Sequence, residues 1–293
     1  MYIAMFSRFC QWLGESGKRL DQCDKVDIRL FLDAANPNLP ESRQKAQASR
    51  QRRQYVIQLE RVFAHLGSLG LGGINPGRQA GYEKIARGAD KPTRFLTREE
   101  CDRAIGGLQE ALESLTEAGA GVEEWLTYRD LGLVGAILGG GLKVSHLDRL
   151  TLNCMDMEEG RIDLSLEGYT HRARLLPFAV EPIAAWLSIH GQLHGGELPP
   201  NHPVFRADRS SGFGRTAKTV TLHASSIHRR TQRFLESVGV TGDRASPQTL
   251  RNTYAALLID GGASDEELVD FMGLKASLTA QRLRQAYARS KAA

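Results

Sequence analysis

Cysteine is scarce and scattered. Cys10, Cys23, Cys101 and Cys154 are the four in 293 residues, and no two form a C-x-x-C pair. That spacing argues against a zinc–cysteine site or a dense disulfide framework and fits reduced thiols. Long apolar runs are missing too, since none approaches the roughly 18–20 residues that cross a bilayer. Residues 1–13 are apolar but include Arg8 and Gln11 and lack a small-residue cleavage site. No secretory leader is therefore expected, and a cytoplasmic protein is. Internal repeats and low-complexity tracts are absent. Charge is nearly balanced, at +4 net with a pI near 8.9, which permits a nucleic-acid partner without requiring one.

What is present describes a folded chain. It is 41% hydrophobic and 25% charged, ordinary for a globular protein, and long enough for two domains with separate cores. Met5, Phe9, Trp12 and Leu13 recur at helical spacing, so the chain is expected to open inside an amphipathic helix that Gly14 and Gly17 stop. A second helix fits 26–34, with Asp24 as N-cap and Leu30 and Phe31 on its buried side; a longer third is marked by Val56, Leu59, Val62, Phe63 and Leu66. The Gly-rich stretch 67–73 and Asn75-Pro76 break it, and polar residues 76–92 read as a linker.

Thr97 with Glu100 forms a capping box that opens a new domain, and 125–138 is a buried helix ending at Gly139-Gly140-Gly141. Leu150 and Leu152, then Ile162, Leu164 and Leu166, then Leu175 and Leu176 alternate between turn signals, which predicts a three-stranded antiparallel sheet. Val144, Leu147 and Leu150 are expected in the core. After Pro203 the chain reads as helical again. Ser246-Pro247 starts a helix that stops at Gly261-Gly262, and Ser264 with Glu267 caps a shorter one ended by Gly273. His190 and His194 have the i, i+4 spacing of a helical metal pair. Gly191 and Gly195-Gly196 interrupt it and no acidic partner follows, so a surface turn is expected and no metal is assigned.

In this order and spacing the chain resembles the tyrosine recombinase, or phage integrase, family. Phe9-x-x-Trp12-Leu13 and residues 53–76, ending Gly-Ile-Asn-Pro, look like the helices of that family's core-binding domain. Gly140-Gly141-Leu142-Lys143-Val144-Ser145-His146-Leu147 resembles its T-G-L-R-x-S-E-L box. Residues 246–255, reading S-P-Q-T-L-R-N-T-Y-A, resemble S-P-H-x-L-R-H-T-F-A, and Phe271-Met272-Gly273-Leu274 falls where the family has L-L-G-H. The resemblance implies a mainly α fold with a small antiparallel sheet. It divides the chain into an all-α, SAM-like core-binding domain at 1–80, a linker at 81–94 and an α+β recombinase-type domain at 95–293.

The resemblance also implies a chemistry. A tyrosine attacks a DNA phosphate to form a 3′-phosphotyrosine, two arginines clamp the phosphoryl oxygens, a lysine on the sheet's turn acts as general acid, and histidines complete the site; no cofactor is needed. Only Arg251 matches cleanly. The first arginine is Lys143, a point charge without a guanidinium fork. The turn lysine falls near Tyr169, where His171 and Arg172 are the titratable or cationic candidates. Gln248 and Leu274 stand where histidine or tryptophan is required. The nucleophile's register position is Leu283, and Tyr287 lies one helical turn beyond it, about 6 Å along the axis.

Two basic segments are open between a solvated face and DNA contact: Arg43, Lys45, Arg50, Arg52 and Arg53 in the first domain, and His228, Arg229, Arg230 and Arg233 in the second, with Arg172 beside them. With the resemblance, DNA contact is the favoured reading. The expected function is sequence-specific binding of double-stranded DNA without cleavage, as a regulator or as an accessory subunit that self-associates or partners an active recombinase, in a bacterial, phage or mobile-element setting. The alternative is an active site-specific recombinase that uses Tyr287, with His171, Arg172 or Lys275 taking over a lost role.

Overall fold

The computed structural model describes residues 2–34, 41–71, 73–81, 92–166, 169–207 and 221–292, with side chains described for these except 2, 41–51, 81, 166 and 169. The chain divides into two compact units, Met1–Lys91 and Pro92–Ala293. Of the expected linker at 81–94, residues 82–91 lie outside the described residues.

The first unit is helical: α1 (Tyr2–Glu15), α2 (Lys25–Ala34), α3 (Glu41–Ser68) and α4 (Pro76–Gly81). The apolar stripe of α1 buries Met5, Phe9 and Leu13. Phe9 sits at the centre, edge-on to Phe31 at 5.1 Å and to Phe63 at 6.4 Å, a geometry that suits the ring quadrupoles. Asp24 caps α2, its Oδ1 accepting from the amides of Val26 (2.7 Å) and Asp27 (3.0 Å). The buried face of α2 differs from expectation. Ile28, Phe31 and Leu32 point inward, and Leu30 is 53% exposed, because an i, i+3, i+4 stripe anchored on Phe31 and Ile28 turns Leu30 outward. Asn75 caps α4, with its own Nδ2 donating to Glu60 O on α3. Gly77 then lets the two backbones meet, since a Cβ there would stand 2.5 Å from Glu60 N.

The second unit starts at a complete capping box, Thr97 with Glu100, on α5 (Arg98–Glu117). α6 (Trp125–Leu138) is buried on nearly every side. It packs closely on α8 (Pro177–Leu193): a Cβ at Gly139 would be 2.2 Å from that of Ala179, and one at Gly132 2.9 Å from that of Trp186. Between them come α7 (Val144–Leu147) and a sheet of order β1-β2-β3, antiparallel throughout, formed by Met155–Asp156, Arg161–Leu166 and Tyr169–Arg174. α9 (Ala224–Ser237), α10 (Pro247–Asp260), α11 (Asp265–Phe271) and α12 (Ser277–Lys291) follow. The expected caps of α10 and α11 form at Ser246 and Ser264. The fold is mainly α with a small antiparallel sheet.

Two local expectations are corrected. Leu150 and Leu152 do not form the first strand, because their backbone bonds go elsewhere: Leu152 N donates to His202 O and Val204 N to Leu150 O. The first strand is Met155–Asp156, and the third ends at Arg174, with Leu176 already capping α8. His190 is not in a surface turn. α8 continues through Gly191 to Leu193 and buries His190 fully, since one glycine inside a well-packed helix costs only about 1 kcal/mol relative to alanine.

Candidate active site

Arg251, in the second turn of α10, is buried and works as a brace. Its Nε donates to Gly141 O at 2.8 Å and its Nη2 to Met272 O at 2.5 Å, tying the turn after α6 to the end of α11. Gly141 can take part because it is a glycine. Its φ is +62°, and a Cβ there would lie 2.3 Å from the Tyr254 ring. Tyr254 in turn donates its hydroxyl to Arg174 O on β3.

Lys143 is the N-cap residue of α7 and half-buried. Burial, then the charges of Arg251 and Lys275, lower the pKa of its ammonium. Both cations therefore lie near enough to Lys143 to disfavour its charged form.

His171, on β3, is fully buried. Its Nε2 lies 2.8 Å from Phe271 O and its Nδ1 3.3 Å from His146 Nδ1. A carbonyl only accepts, so Nε2–H is the donor; Nδ1 of the neutral ring must then accept from His146. Burial pushes His171 down to about 4, against the opposing pull of the Phe271 carbonyl, and pushes His146 down to about 3 with His171 as the next cause. Both rings are neutral at pH 7, so His171 carries no cationic charge there. Gly273 (φ +56°) makes room for it, because a Cβ would stand 2.5 Å from the His171 ring.

The other positions are occupied differently. Gln248 is exposed and donates its amide to Asn252 Oδ1 at 2.7 Å. Leu274 and Leu283 pack in an apolar cluster around Tyr254, Leu268, Met272 and Ala280. Tyr287, on α12, gives its hydroxyl to Asp260 Oδ2 at 2.6 Å, while Lys291 bonds the other carboxylate oxygen at 2.7 Å and sits 4.8 Å over the ring. Burial and then the Asp260 carboxylate raise the Tyr287 pKa, which disfavours the phenolate. Asp260 ends α10 nine residues after Arg251, about 13.5 Å along the axis at 1.5 Å per residue.

Of the basic sets, His228, Arg229 and Arg233 on α9 are exposed, as is Arg172. Arg230 differs from expectation: it turns inward and pairs with Asp130, which also holds the fully buried Arg129 at 2.9 Å. In the first unit Arg53 is exposed and Arg52 pairs with Asp33 at 2.5 Å. The side chains of Arg43, Lys45 and Arg50 lie outside the described residues. Asp260 and Asp130, which decide the orientation of Tyr287 and Arg230, have no local sequence signal, being 27 and 100 residues from their partners.

A family model described as the phage integrase family matches residues 108–290. The chain belongs to the phage integrase family. It is 26% identical over 213 residues to a tyrosine recombinase XerC of Chlorobaculum tepidum, covering 67% of this chain and 60% of that protein. To the XerC of Agrobacterium fabrum it is 25% identical over 256 residues, covering 87% of this chain and 71% of that protein. The first of these covers less than two thirds of the relative's length.

Among solved structures, the XerH site-specific recombinase in a post-cleavage complex with palindromic difH substrate superposes with a TM-score of 0.67 at 15% identity, over 98% of this chain and 75% of that one. A lambda integrase dimer bound to a COC′ core site gives 0.57 at 16%, over 97% and 70%. At these identities the likeness is one of fold. Lys143, Gln248, Arg251, Leu274 and Tyr287 all fall inside the family match; the first unit lies outside it.

Proposed function

We propose that this member of the phage integrase family grips double-stranded DNA and does not cut it. The observation that carries the reading is the separation of parts. Lys143 feels the charges of Arg251 and Lys275, while the hydroxyl of Tyr287 is bonded to Asp260 at the other end of α10 from Arg251. A nucleophile displaced by even ~1 Å loses about a hundredfold in rate, and this one is engaged as a donor with a raised pKa. No neutral-pH proton donor replaces the missing lysine at His171, and Gln248 cannot act as a base. The named relatives are tyrosine recombinases, and the two named solved complexes hold DNA substrate or core-site DNA. For this chain that supports DNA as the ligand, and the exposed Arg53, Arg172, Arg229 and Arg233 would neutralise its phosphates. A role as regulator, or as accessory subunit beside an active recombinase, follows. Among the described residues no helix is long and apolar enough to cross a membrane.

The test uses a selected binding site in a nicked suicide substrate. Binding should fall steeply with salt, because counterions released into a more concentrated bulk gain less entropy, with no covalent protein–DNA adduct and equal affinity for Tyr287→Phe. An adduct formed by the wild type and lost in Tyr287→Phe would overturn the non-catalytic reading, and absence of binding at low salt would end the DNA reading itself.

A further inference from the structure

His190 is fully buried in the last turn of α8, yet neither of its ring nitrogens has a hydrogen-bond partner among the described residues. Its ring stacks on Trp186 at 4.7 Å, which occupies a face and satisfies neither nitrogen. Such a group calls for a ligand, because buried polar atoms are almost always paired. Two more histidines approach it. His194, one turn on, has its ring 5.2 Å from that of His190, and His202 lies 5.1 Å from His190 and 4.8 Å from His194. One nitrogen from each falls within 4.8 Å of the others.

We infer that His190, His194 and His202 form a binding site for a divalent late transition metal, Zn²⁺ foremost, with solvent in the fourth position. Three imidazoles with one open position is a ligand set that zinc accepts, and imidazole suits zinc, copper and nickel over magnesium or calcium. The backbone brings the rings together. His202 N donates to Pro199 O at 2.8 Å, and its carbonyl accepts from Leu152 N at 3.0 Å, so residues 199–204 are held against the segment before the sheet. Nitrogens around a tetrahedral ion with bonds of about 2.0–2.1 Å stand roughly 3.3 Å apart. The widest pair must therefore close by about 1.5 Å, within reach of χ rotation at His194, which is exposed, and His202, which is half-buried. All three rings are ready as neutral ligands: burial first, then neighbouring charge, lowers each pKa, that of His190 to about 3.

One residue opposes the ion. Arg206 places its Nη1 3.0 Å from His194 Nε2, and its guanidinium lies 5.3 Å from the Trp125 ring centroid. An imidazole that gives Nδ1 to a metal carries a proton on Nε2, so Arg206 must release His194 whichever nitrogen binds. Its charge also repels the cation. Arg206 thus competes with the metal, and its removal should tighten binding.

The experiment titrates ZnCl₂ into tag-free full-length protein by calorimetry, beside His194→Ala, His202→Ala and Arg206→Ala. The wild type should take up one equivalent, each histidine variant should bind at least about tenfold more weakly, and Arg206→Ala should bind more tightly. At zinc a hundredfold above Kd, the wild-type Tm should rise by roughly 5–10 °C, with a smaller rise in the histidine variants at the same zinc concentration. Because both variant positions reach solvent, loss of fold does not confound the result, and circular dichroism checks it. Wild-type affinity no higher than that of the His194→Ala/His202→Ala double variant overturns the site. So does a Co²⁺ spectrum carrying a thiolate charge-transfer band, which would move the ion to a cysteine.

Discussion

The two units bury different things. The first is packed mainly with hydrocarbon and rings: Phe9, Phe31, Phe63, Leu59 and Ile28 form its centre, and among the described residues Asp27, paired with Lys18, is its one buried charged group. The second buries Arg129, His146, His171, His190, Arg251, Asn252 and Thr253. An aromatic core specifies shape and little else. A core threaded with polar groups fixes where charges, protons and ligands can sit, and it is stable only while each such group keeps its partner or its neutral form.

The largest effect that would sharpen this contrast is expected for Gly141→Val. A β-branched residue at φ +62° meets both backbone strain and the Tyr254 ring, and should destabilise the second unit by up to about 5 kcal/mol. Hydrogen-exchange protection should collapse across residues 95–292 and persist in the first unit; collapse in both would mean that the cores are not separate. Next comes Phe9→Ala, expected to cost about 3–5 kcal/mol through the cavity it leaves among Phe31 and Phe63, with exchange rising in α1 to α4 alone.

The smallest effect is acid sensitivity. His146, His171 and His190 have folded pKa values of about 3 to 4, below the ordinary value near 6.5. Between those limits the unfolded chain binds more protons, so the stability these groups confer is complete above about pH 6.5 and is lost as pH falls toward 4. Going from pH 7 to 5.5 should cost the second unit on the order of 1–3 kcal/mol. Among the described residues the first unit buries no histidine, and no such step is expected there; an equal loss in both units would break the comparison.

Much of the fold was legible because the signals are short-range. A capping hydrogen bond spans three residues, so Thr97 with Glu100 and Ser264 with Glu267 announce their helices without any tertiary knowledge. The face of α2 and the start of the sheet were misplaced where tertiary contacts decide. Leu30 obeys the stripe set by Phe31 and Ile28, and residues 150–152 pair with 202–204 rather than with the sheet. The candidate site divides in the same way. Gly141, Lys143 and Arg251 sit in contiguous motifs and could be named. The engagement of Tyr287 by Asp260, the inward turn of Arg230 and the approach of His202 to His190 are set by packing across tens of residues, which one-dimensional spacing does not encode.

The seat that Gly273 provides for the His171 ring also bears on how such a chain is inherited. A side chain at 273 is excluded by atoms 2.5 Å away, so any descendant that keeps an aromatic ring at 171 must keep glycine at 273, whatever becomes of its chemistry. Exposed Gln248 is bound by no such steric contract, and Leu274 needs only to remain apolar. Lineages of this kind should therefore show paired change at 171 and 273 and independent drift at 248. Ancestry would stay readable in the glycines long after the charged positions between them had diverged.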